Sequence, residues 1–583
     1  MKPYLLLTLF LLTIASCKKD DKPQPPLAAL QGFVITAEKN SALLETDLTA
    51  TIKADTIVVH LPEEFVNKEL VVDFSIDAAD RLYYNNTRLT GNSASIKLTN
   101  GAVISVSADN KKTALYFLQL ITYAEEGLRL TAFGFTTANN ATLQSDIHFA
   151  VGAAGISGNL SPFLTTLVPT LSTKAAGIEF NNIPFTGKEA INFSMPVVCT
   201  LISDKGTRKA YTVTTGFDNL PRLTINTDGA VAIASKDVYV NGSLVIQGAG
   251  QYPDTTLKTQ VKGRGNSTWG YPKKPYRLKL DKKAALFGLS EEKDWVLLAN
   301  YIDESLVLNA LAMKIGQLLE IPYTNHIVPV ELYINGVYNG VYMLTEQVEV
   351  ESNRVNVKDG YLLELDSYYD EEYKFRTTAY DLPVNIKYPE LENNADIAAI
   401  QQSFQQLETL VAAASFPDNN YGTLIDKVSI ANYLLTYMMT DNQEINHPKS
   451  TYINKTGAGK YTMGPIWDFD WAAGYEGAAD HFAYYNRPLF WTTPSAGTRF
   501  FQRFLQDPEV KTLLQQKWTD FKAHKLDQLQ QYRDTYIKAI TAARERDYAK
   551  WGRGEAGYVS IVSKLKTWMQ NRYAYLDTYI GGL

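Results

Sequence analysis

Residues Thr440 to Tyr475 read TDNQEINHPKSTYINKTGAGKYTMGPIWDFDWAAGY, and they place acidic side chains at both ends of a predicted hairpin. A helix is predicted over residues 424–440 and ends at Asp441, and Asn446 follows five residues later. The segments STYINK and KYTMGPI are predicted to pair across the turn TGAG. We expect the second strand to end at the triplet Asp-Phe-Asp that begins with Asp468. A rigid hairpin of this kind would fix the distance between the two groups of carboxylates.

The order of these elements is a helix, an Asp-x-x-x-x-Asn loop, a hairpin and Asp-Phe-Asp, which is also their order in the protein-kinase catalytic core. In that core a loop aspartate positions the accepting hydroxyl, and an asparagine and a second aspartate bind magnesium. Phosphoryl transfer needs hard oxygen ligands for Mg²⁺ and a carboxylate near the attacking oxygen. The pattern therefore favours a kinase-like site.

Each acid of this stretch also has a simpler interpretation. An aspartate at a helix C-terminus is electrostatically unfavourable, so the position of Asp441 favours a functional role over a structural one. Asp468 and Asp470 alternate with aromatic residues. Metal binding is the better interpretation for Asp468, whereas Asp470 is equally well explained as a solvated acid at a strand edge. For His447 we favour a hydrogen bond within the loop.

Upstream, the sequence LKTQVKGRGNSTWGYPKKPYRLKLDKK, residues 257–283, predicts a strand, a glycine-rich loop and a second strand. The loop contains Gly263 and Gly265, whose backbone N–H groups can cradle phosphates. In the second strand Arg277 and Lys279 share one face, because the side chains of a strand alternate. Either of these two cations can meet the phosphates of a nucleotide.

Two further dipeptides have a less specific pattern. Lys273 and Lys274 are interpreted as a solvated pair, with a contact to phosphate as the alternative. Glu346 and Gln347 follow a hairpin that is predicted to turn at Asn335-Gly336. These two residues form either a hinge whose backbone contacts adenine or a plain linker between two lobes.

Five motifs in this order resemble the spore-coat-protein-H (CotH) kinase family: KGRGNSTWGYPKKPYRLKL, WVLLANYIDESLVLNALAMKIG, INGVYNGVYMLTEQV, DNQEINHPKSTYINK and GPIWDFDWAAGY. The resemblance covers roughly residues 220–475 and extends to the C-terminal helices. It implies an atypical, secreted or surface-held kinase that uses ATP and Mg²⁺, or Mn²⁺ in its place. Carried over by motif, Asp441 is the catalytic-loop aspartate, Asp468 binds the metal, and Asn446 matches the asparagine of the loop.

The chain departs from the family pattern at Leu308-Asn309, where members commonly have Arg-Asn. The ordinary glycine-rich kinase signature is also missing from the sequence, so GRGNSTWG, residues 263–270, is expected to contact the phosphates instead. The helix that contains Leu308-Asn309 is predicted over Asp303 to Glu320, with Asp303 as its N-cap.

The predicted fold class is multidomain. Short apolar or alternating segments separated by turns predict two all-β sandwich (Ig-like) domains, residues 31–124 and 125–219, in which we find no group of chemically reactive side chains. In residues 220–583 a sheet-rich part with one helix precedes a mostly helical part. This order predicts a two-lobed α+β domain of the atypical protein-kinase type.

The first residues predict export and a lipid anchor. Leu5 to Ile14 form an apolar run about as long as a signal-peptide core and too short to span a bilayer. The sequence TIASC then places Cys17 at a lipobox-like position. We predict a signal peptide over residues 1–17, lipidation at Cys17 and a tether over residues 18–30, with an ordinary signal peptide as the alternative. The sequence CKKDD resembles the surface-export signal of some Gram-negative lipoproteins, which implies an outer-membrane lipoprotein exposed at the cell surface.

Composition limits the partners and leaves three functions open. The net charge is −6 and no basic tract stands out, so nucleic acid is not an expected partner, and the membrane is contacted only through the lipid. The expected acceptor of a kinase is a surface protein or a glycan. The first alternative is a non-catalytic surface-binding or adhesion lipoprotein with a kinase-like fold. The second is a metal-dependent glycosyltransferase that uses Asp-Phe-Asp, but this fold needs repeating strand–helix units, which the sequence before Asp468 lacks.

Overall fold

The computed structural model describes residues 28–583, except 42–43, 45, 79, 110, 124, 154, 205, 218–219, 358, 394–395, 476–480 and 492–493. The predicted signal peptide, Cys17 and nearly all of the tether lie outside the described residues and stay predictions. Within the described part the chain is rich in β-structure up to Glu346, and its helices lie mainly in the C-terminal part. None of the helices in this part combines the length and the apolar character that a bilayer crossing requires.

The first β region consists of two sheets that enclose one apolar core. Phe33 and Phe74 meet edge to face in this core, with ring centroids 5.3 Å apart. The strands pair in the orders β2-β1-β5-β8 and β3-β4-β10-β9-β6-β7. Their bounds are β1 Leu30–Ile35, β2 Leu48–Thr49, β3 Thr51–Lys53, β4 Thr56–Pro62, β5 Glu69–Ile76, β6 Arg81–Tyr84, β7 Thr87–Arg88, β8 Ser93–Lys97, β9 Val103–Ser107 and β10 Ala114–Tyr123.

The second β region has a separate core rich in phenylalanine, including Phe133, Phe135, Phe149 and Phe193. A continuous sheet of order β15-β11-β12-β13-β20-β19-β16-β17 surrounds it, and β14 pairs with β18. The strand bounds are β11 Leu130–Phe135, β12 Ile147–Val151, β13 Gly155–Asn159, β14 Thr166–Leu167, β15 Thr170–Thr173, β16 Gly177–Phe180, β17 Ile183–Pro184, β18 Ile191–Asn192, β19 Val197–Ile202 and β20 Arg208–Gly216. The predicted β-rich character of the first half of the chain is therefore confirmed.

A closed barrel follows, with the strand order β21-β22-β23-β24-β25-β27-β26 and a core around the fully buried Trp295. The elements are β21 Arg222–Thr227, β22 Val240–Gln247, β23 Thr255–Gly263, β24 Tyr276–Ala284, β25 Glu292–Leu298, α1 Leu308–Leu318, β26 Val328–Ile334 and β27 Val337–Glu346. The hairpin β26–β27 turns at Asn335 and Gly336, as predicted, and both residues have positive φ (49° and 78°). This is the backbone that a tight two-residue hairpin turn requires.

Helix α1 begins at Leu308 and not at the predicted Asp303, because Asp303 closes a turn that precedes the helix. The carboxylate of Asp303 accepts hydrogen bonds from the backbone N–H groups of Ser305, Val307 and Leu308, each at 2.9 Å. Asp303 therefore accepts hydrogen bonds from free N–H groups at the start of the helix. This is the predicted capping role, but the helix begins five residues after Asp303.

The C-terminal part combines a five-stranded sheet, of order β29-β30-β28-β31-β32, with six helices that share one large core with α1. The predicted hairpin after Asp441 is confirmed as β31–β32, and the predicted helices are present, whereas the strands β28–β30 were not predicted. The elements are β28 Tyr361–Leu365, β29 Lys374–Arg376, β30 Pro383–Tyr388, α2 Ile397–Ala412, α3 Lys427–Thr440, β31 Thr451–Lys455, β32 Tyr461–Met463, α4 Ala496–Phe504, α5 Pro508–His524, α6 Leu526–Trp551 and α7 Tyr558–Gly581.

Candidate functional site

A cavity of about 500 Å³ lies between the barrel and the part of the chain that carries the five-stranded sheet. The barrel side contributes mainly cations, namely Lys236, Lys262, Arg264, Lys273 and Arg277. The other side contributes mainly acids, namely Glu364, Asp366, Asp370, Glu371, Glu444, Asp468 and Asp470. The exceptions are Asp237, Lys387 and Lys449. Such a division of charge suits a ligand that has an anionic chain and an associated cation.

The triplet Asp468-Phe469-Asp470 forms a turn and not the predicted end of a strand, because β32 ends before it. Asp468 has a left-handed backbone, with φ 65°. The N–H of Phe469 donates to Oδ1 of Asn309 at 2.8 Å, and the side chain of Asn442 donates to the carbonyl of Asp468 at 3.0 Å. These two amide side chains hold the turn, and both Asp468 and Asp470 line the cavity.

Asp470 and Glu444 are buried beside Asp468, and this crowding of carboxylates changes their acidity. Burial, the negative charge of Asp468 and a hydrogen bond with Asp468 raise the pKa of Asp470 well above its usual value. Burial and the charges of Asp468 and Asp470 likewise raise the pKa of Glu444. The Oε2 atom of Glu444 has no hydrogen-bond partner among the described residues.

The carboxylates of Asp468 and Asp470 fit a hard divalent cation, because carboxylate oxygens are its preferred ligands, and a cation there would also relieve their repulsion with Glu444. No three His, Cys, Asp or Glu side chains of the described ranges already stand in a metal-binding cluster. The fit therefore rests on the chemistry of Asp468 and Asp470 and on the negative charge of Glu444 beside them, and not on a preformed coordination geometry.

Asp441, the predicted catalytic-loop aspartate, is fully buried and does not line the cavity. As the left-handed cap of α3 (φ 47°), it turns its carboxylate towards two arginines. Nε of Arg487 donates to Oδ2 at 2.8 Å, and Nη2 of Arg572 lies 3.5 Å from Oδ1. Burial raises the pKa of Asp441, and the charges of Arg572 and Arg487 oppose this change. A carboxylate at a helix C-terminus is electrostatically unfavourable, and the positive charges of the two arginines compensate for this.

Asn446, the predicted metal-contacting asparagine, also does not line the cavity. Its side-chain amide donates to Oε1 of Gln443 at 2.6 Å and to the carbonyl of Leu489 at 3.2 Å, and its Oδ1 accepts from Thr498 at 3.1 Å. The same loop instead presents Glu444, which the sequence analysis did not single out. The available signal was an acid between Asp441 and Asn446, but only the folded loop shows which of its side chains faces the cavity.

The predicted glycine-rich loop does line the cavity, through both Gly263 and Gly265. A Cβ atom on Gly263 would lie 2.2 Å from the ring of Trp269, so no other residue fits there without movement. Gly265 has φ 80°, a backbone that favours glycine. Across the mouth of the cavity, Asn266 of this loop donates to Oδ2 of Asp370 at 3.0 Å.

The structure separates the two candidate cations of β24. Arg277 lines the cavity and is held by Asp294, with Nε 2.8 Å from Oδ1. Lys279 is exposed and borders a different pocket. Arg264, which the sequence analysis did not single out, also lines the cavity, and its guanidinium lies 5.4 Å from the ring centre of Trp467. Burial lowers the pKa of Arg264, and the charge of Asp468 opposes this.

Glu346 is not part of the cavity, although its neighbour Gln347 lines it. The carboxylate of Glu346 accepts from the backbone N–H and from Nδ1 of His326, both at 2.7 Å. Its carbonyl accepts from the side chain of Asn325 at 2.6 Å. The backbone carbonyl of Glu346, which was predicted to contact adenine, is therefore already hydrogen-bonded to Asn325. Of the two residues, only Gln347 lines the cavity.

Comparison with known proteins gives one family match. A family model described as CotH kinase protein matches residues 261–576, more than half of the 583-residue chain. The comparison with curated proteins gives no match. A solved structure from Bacteroides thetaiotaomicron, described as a candidate glycoside hydrolase, is similar over 43% of this chain and 82% of that chain, with 12% identity and a TM-score of 0.11. A TM-score this low does not support a shared fold.

Proposed function

The chain belongs to the CotH kinase protein family, as its five ordered motifs indicated, and we propose that it is a metal-dependent phosphotransferase. In this proposal the cavity binds ATP and passes its γ-phosphoryl group to a hydroxyl of a surface protein or glycan. The observation that carries the proposal is the division of charge in the cavity, with cations mainly from the barrel and acids mainly from the other side. These acids include Glu444, whose Oε2 has no hydrogen-bond partner among the described residues. A nucleoside triphosphate with a bound cation has the complementary charges.

Asp468 and Asp470 are the residues that would hold Mg²⁺, or Mn²⁺ in its place. Both line the cavity on a turn that Asn309 and Asn442 hold by hydrogen bonds of 2.8 Å and 3.0 Å. When bound, the metal supplies positive charge that neutralises the phosphate oxygens. Asn309 thus has a positioning role in a helix where the family commonly carries an arginine one residue earlier.

Arg264, Arg277 and the loop of Gly263 and Gly265 would bind the phosphate chain. All four residues line the barrel side of the cavity. The ion pair with Asp294 fixes the guanidinium of Arg277, so its charge is already oriented before the ligand binds. Backbone N–H groups of a glycine-rich loop can approach phosphates closely because no side chain intervenes.

Glu444 takes the role that the sequence analysis gave to Asp441. In the transfer step, the acceptor oxygen forms a bond to the γ-phosphorus, the bond from this phosphorus to the bridging oxygen breaks, and ADP leaves. The carboxylate of Glu444 orients the hydroxyl and receives its proton. Asp441 acts through Gln443, which donates to Asp441 at 2.9 Å and accepts from Asn446 at 2.6 Å. This chain of hydrogen bonds holds the loop that presents Glu444.

The location of the enzyme belongs to the same proposal. A lipid on Cys17 would anchor the chain at the outer membrane, with the two β regions between the anchor and the kinase site. A hydroxyl on a surface protein or glycan is then the acceptor within reach, and nucleic acid is not.

Incubation with γ-labelled ATP tests the proposal. Purified protein with MgCl₂ or MnCl₂ should transfer label to itself or to a cell-surface fraction, and Asp468→Asn should not. Asp418→Asn is the control, because Asp418 is an exposed acid outside the cavity. If the wild type neither binds ATP in calorimetry nor transfers label with either metal, the proposal is wrong, and a non-catalytic binding protein is the better interpretation.

A further inference from the structure

A second cavity, of about 670 Å³, lies where the second β region packs against helix α6. The β region contributes Phe163, Thr165 and Asn192, among others, and the helical part contributes Lys314 of α1 and side chains of α6 between residues 528 and 538. Among the described residues, none lines both this cavity and the one between the barrel and the five-stranded sheet. A ligand of the second cavity is therefore bound apart from the proposed phosphoryl transfer.

Two aromatic side chains contribute to the wall of this cavity. Phe163 is 40% exposed, although its ring also contacts α6, with its centroid 6.4 Å from that of Tyr532 and 6.3 Å from that of Tyr536. Tyr532 lines the cavity as well, and its hydroxyl has no hydrogen-bond partner in the described part of the chain. An exposed ring beside a free hydroxyl offers a ligand both an apolar surface and a hydrogen-bonding group.

Side-chain amides and hydroxyls surround these rings. Gln531 is exposed, and Thr165 and Thr535 are partly buried. Oδ1 of Asn192 accepts from the backbone N–H of Ser194 at 2.9 Å, which leaves the amide N–H groups of Asn192 for a ligand. Amides and hydroxyls both donate and accept hydrogen bonds, so they match the hydroxyl groups of a sugar.

Both lysines of the cavity place their ammonium groups against other residues that line it. Nζ of Lys538 donates to the carbonyl of Ser194 at 2.6 Å, and Nζ of Lys314 lies 5.5 Å from the ring centre of Tyr532. Neither lysine has an ion-pair partner among the described residues. Burial lowers the pKa of Lys538, and no acid of the described ranges opposes this change.

The lining also contains one described acid, Asp534, but its charge is already compensated. Its Oδ1 lies 2.8 Å from Nε of Arg533 and 3.0 Å from Nζ of Lys566. The charges of the two lysines of the cavity are therefore left uncompensated, which favours an anionic ligand.

We propose that this second cavity binds an acidic glycan, with a sugar ring against Phe163 and Tyr532 and an anionic group of the glycan near Lys314 and Lys538. A sugar ring has an apolar C–H face for the aromatic side chains and hydroxyl groups for the surrounding amides and hydroxyls. An acidic peptide would pair with the lysines but leave the aromatic wall uncovered. The inference goes beyond the proposed function and does not depend on it.

Calorimetry on the full chain in EDTA and without nucleotide tests the proposal, with a trimer of galacturonic acid and a hyaluronan tetrasaccharide as probes. At least one probe should bind, and neutral maltotriose should bind at least about tenfold more weakly, because it lacks the charge that the lysines meet.

Two variants locate the binding site of the probe. Phe163→Ala should weaken binding roughly tenfold, since it removes part of the aromatic wall. Lys314→Met should weaken binding about fivefold and reduce its salt dependence, since a charge contact is lost. Phe117→Ala and Lys279→Met are the matched controls and should bind like the wild type, because Phe117 is 46% exposed on β10, Lys279 is exposed on β24, and both lie outside this cavity.

Three results would overturn the inference and leave the proposed function in place, since the assay contains no nucleotide. The first is a wild type that binds neither probe, or that binds maltotriose equally well. The second is equal binding of a peptide of three glutamates, which would favour an acidic-peptide site. The third is unchanged affinity in folded Phe163→Ala and Lys314→Met, which would place the probe elsewhere. If Phe163→Ala does not fold, the result with Lys314→Met alone gives this decision.

Discussion

Asp441 and Glu444 lie three residues apart in one loop, and both are buried, but their surroundings are opposite. The carboxylate of Asp441 is paired with Arg487 and Arg572 and points away from the cavity. Glu444 lines the cavity, faces the charges of Asp468 and Asp470, and has an oxygen without a hydrogen-bond partner in the described part of the chain.

The comparison teaches that burial alone does not distinguish a structural carboxylate from a functional one. A buried acid with cationic partners stabilises the fold that surrounds it, and removing it leaves those cations uncompensated. A buried acid among like charges is unfavourable until a ligand arrives, and such acids are concentrated at functional sites. We therefore propose that Asp441 stabilises the fold and that Glu444 takes part in the reaction.

The largest effect is expected at Asp468, whose charge faces Glu444. Asp468→Asn removes a hard anionic ligand, so Mg²⁺-dependent ATP binding and transfer should fall on the order of a thousandfold. Calorimetric titration of ATP with and without MgCl₂ measures this, with Asp418→Asn as the control. A variant that keeps the full Mg²⁺ dependence would show that Glu444 does not border a metal site.

The next largest effect is expected at Asp441, on stability. Asp441→Asn leaves two buried arginines without their carboxylate, which should lower the free energy of unfolding by roughly 3 kcal/mol. Urea unfolding followed by tryptophan fluorescence is a suitable measurement, because all eight tryptophans lie between residues 269 and 568 and report on the part that the family model matches. A loss of stability no larger than that of Asp418→Asn would contradict the assigned role.

The cation side of the cavity offers a smaller contrast within one strand. Arg277→Met should weaken ATP binding about tenfold, or about 1.4 kcal/mol, because a phosphate contact is lost. Lys279→Met should have no effect, since this lysine shares the face of Arg277 but lies outside the cavity. ATP affinities from the same titrations check the pair, and equal losses in the two variants would argue against the barrel side as the phosphate wall.

The smallest effect is expected at Glu444, again on stability and with the opposite sign to Asp441. Glu444→Gln removes a negative charge that burial and two neighbouring acids disfavour, so the free energy of unfolding should rise by about 1 kcal/mol in EDTA. The same fluorescence assay measures it. Destabilisation as large as that of Asp441→Asn would mean that Glu444 has a structural partner, and the comparison between the two acids would lose its basis.

Local patterns in the sequence were enough to predict much of the fold. The hairpin at Asn335-Gly336, the hairpin after Asp441 and the β-rich first half depend on turn residues and on strand periodicity, which neighbouring residues determine. The closure of the barrel and the pairing of β28 with β31 bring together segments that are far apart in the sequence, so local sequence patterns do not predict them.

The sequence singled out several residues that the structure places at the cavity, and their roles stay predictions. These residues are the two acids of Asp-Phe-Asp and the two glycines of the loop, which short sequence motifs are enough to identify. Asp441 was misplaced because its left-handed backbone turns the carboxylate towards Arg572, which is 131 residues further along the chain. Lys273 was misjudged for a similar reason, since it is buried and its partner Asp547 lies on the distant helix α6.

The central claim is that Glu444, and not Asp441, is the carboxylate at the acceptor hydroxyl. The most direct test is the single-turnover rate of label transfer from saturating Mg²⁺-ATP in Glu444→Gln and in Asp441→Asn, at a temperature where tryptophan fluorescence shows both to be folded. We predict that Glu444→Gln loses at least about a hundredfold in rate with unchanged ATP affinity, the usual scale for a lost acid–base group, and that Asp441→Asn stays within about tenfold of the wild type. Transfer at the wild-type rate by Glu444→Gln, together with a hundredfold loss in folded Asp441→Asn, would contradict this account and return the role to Asp441.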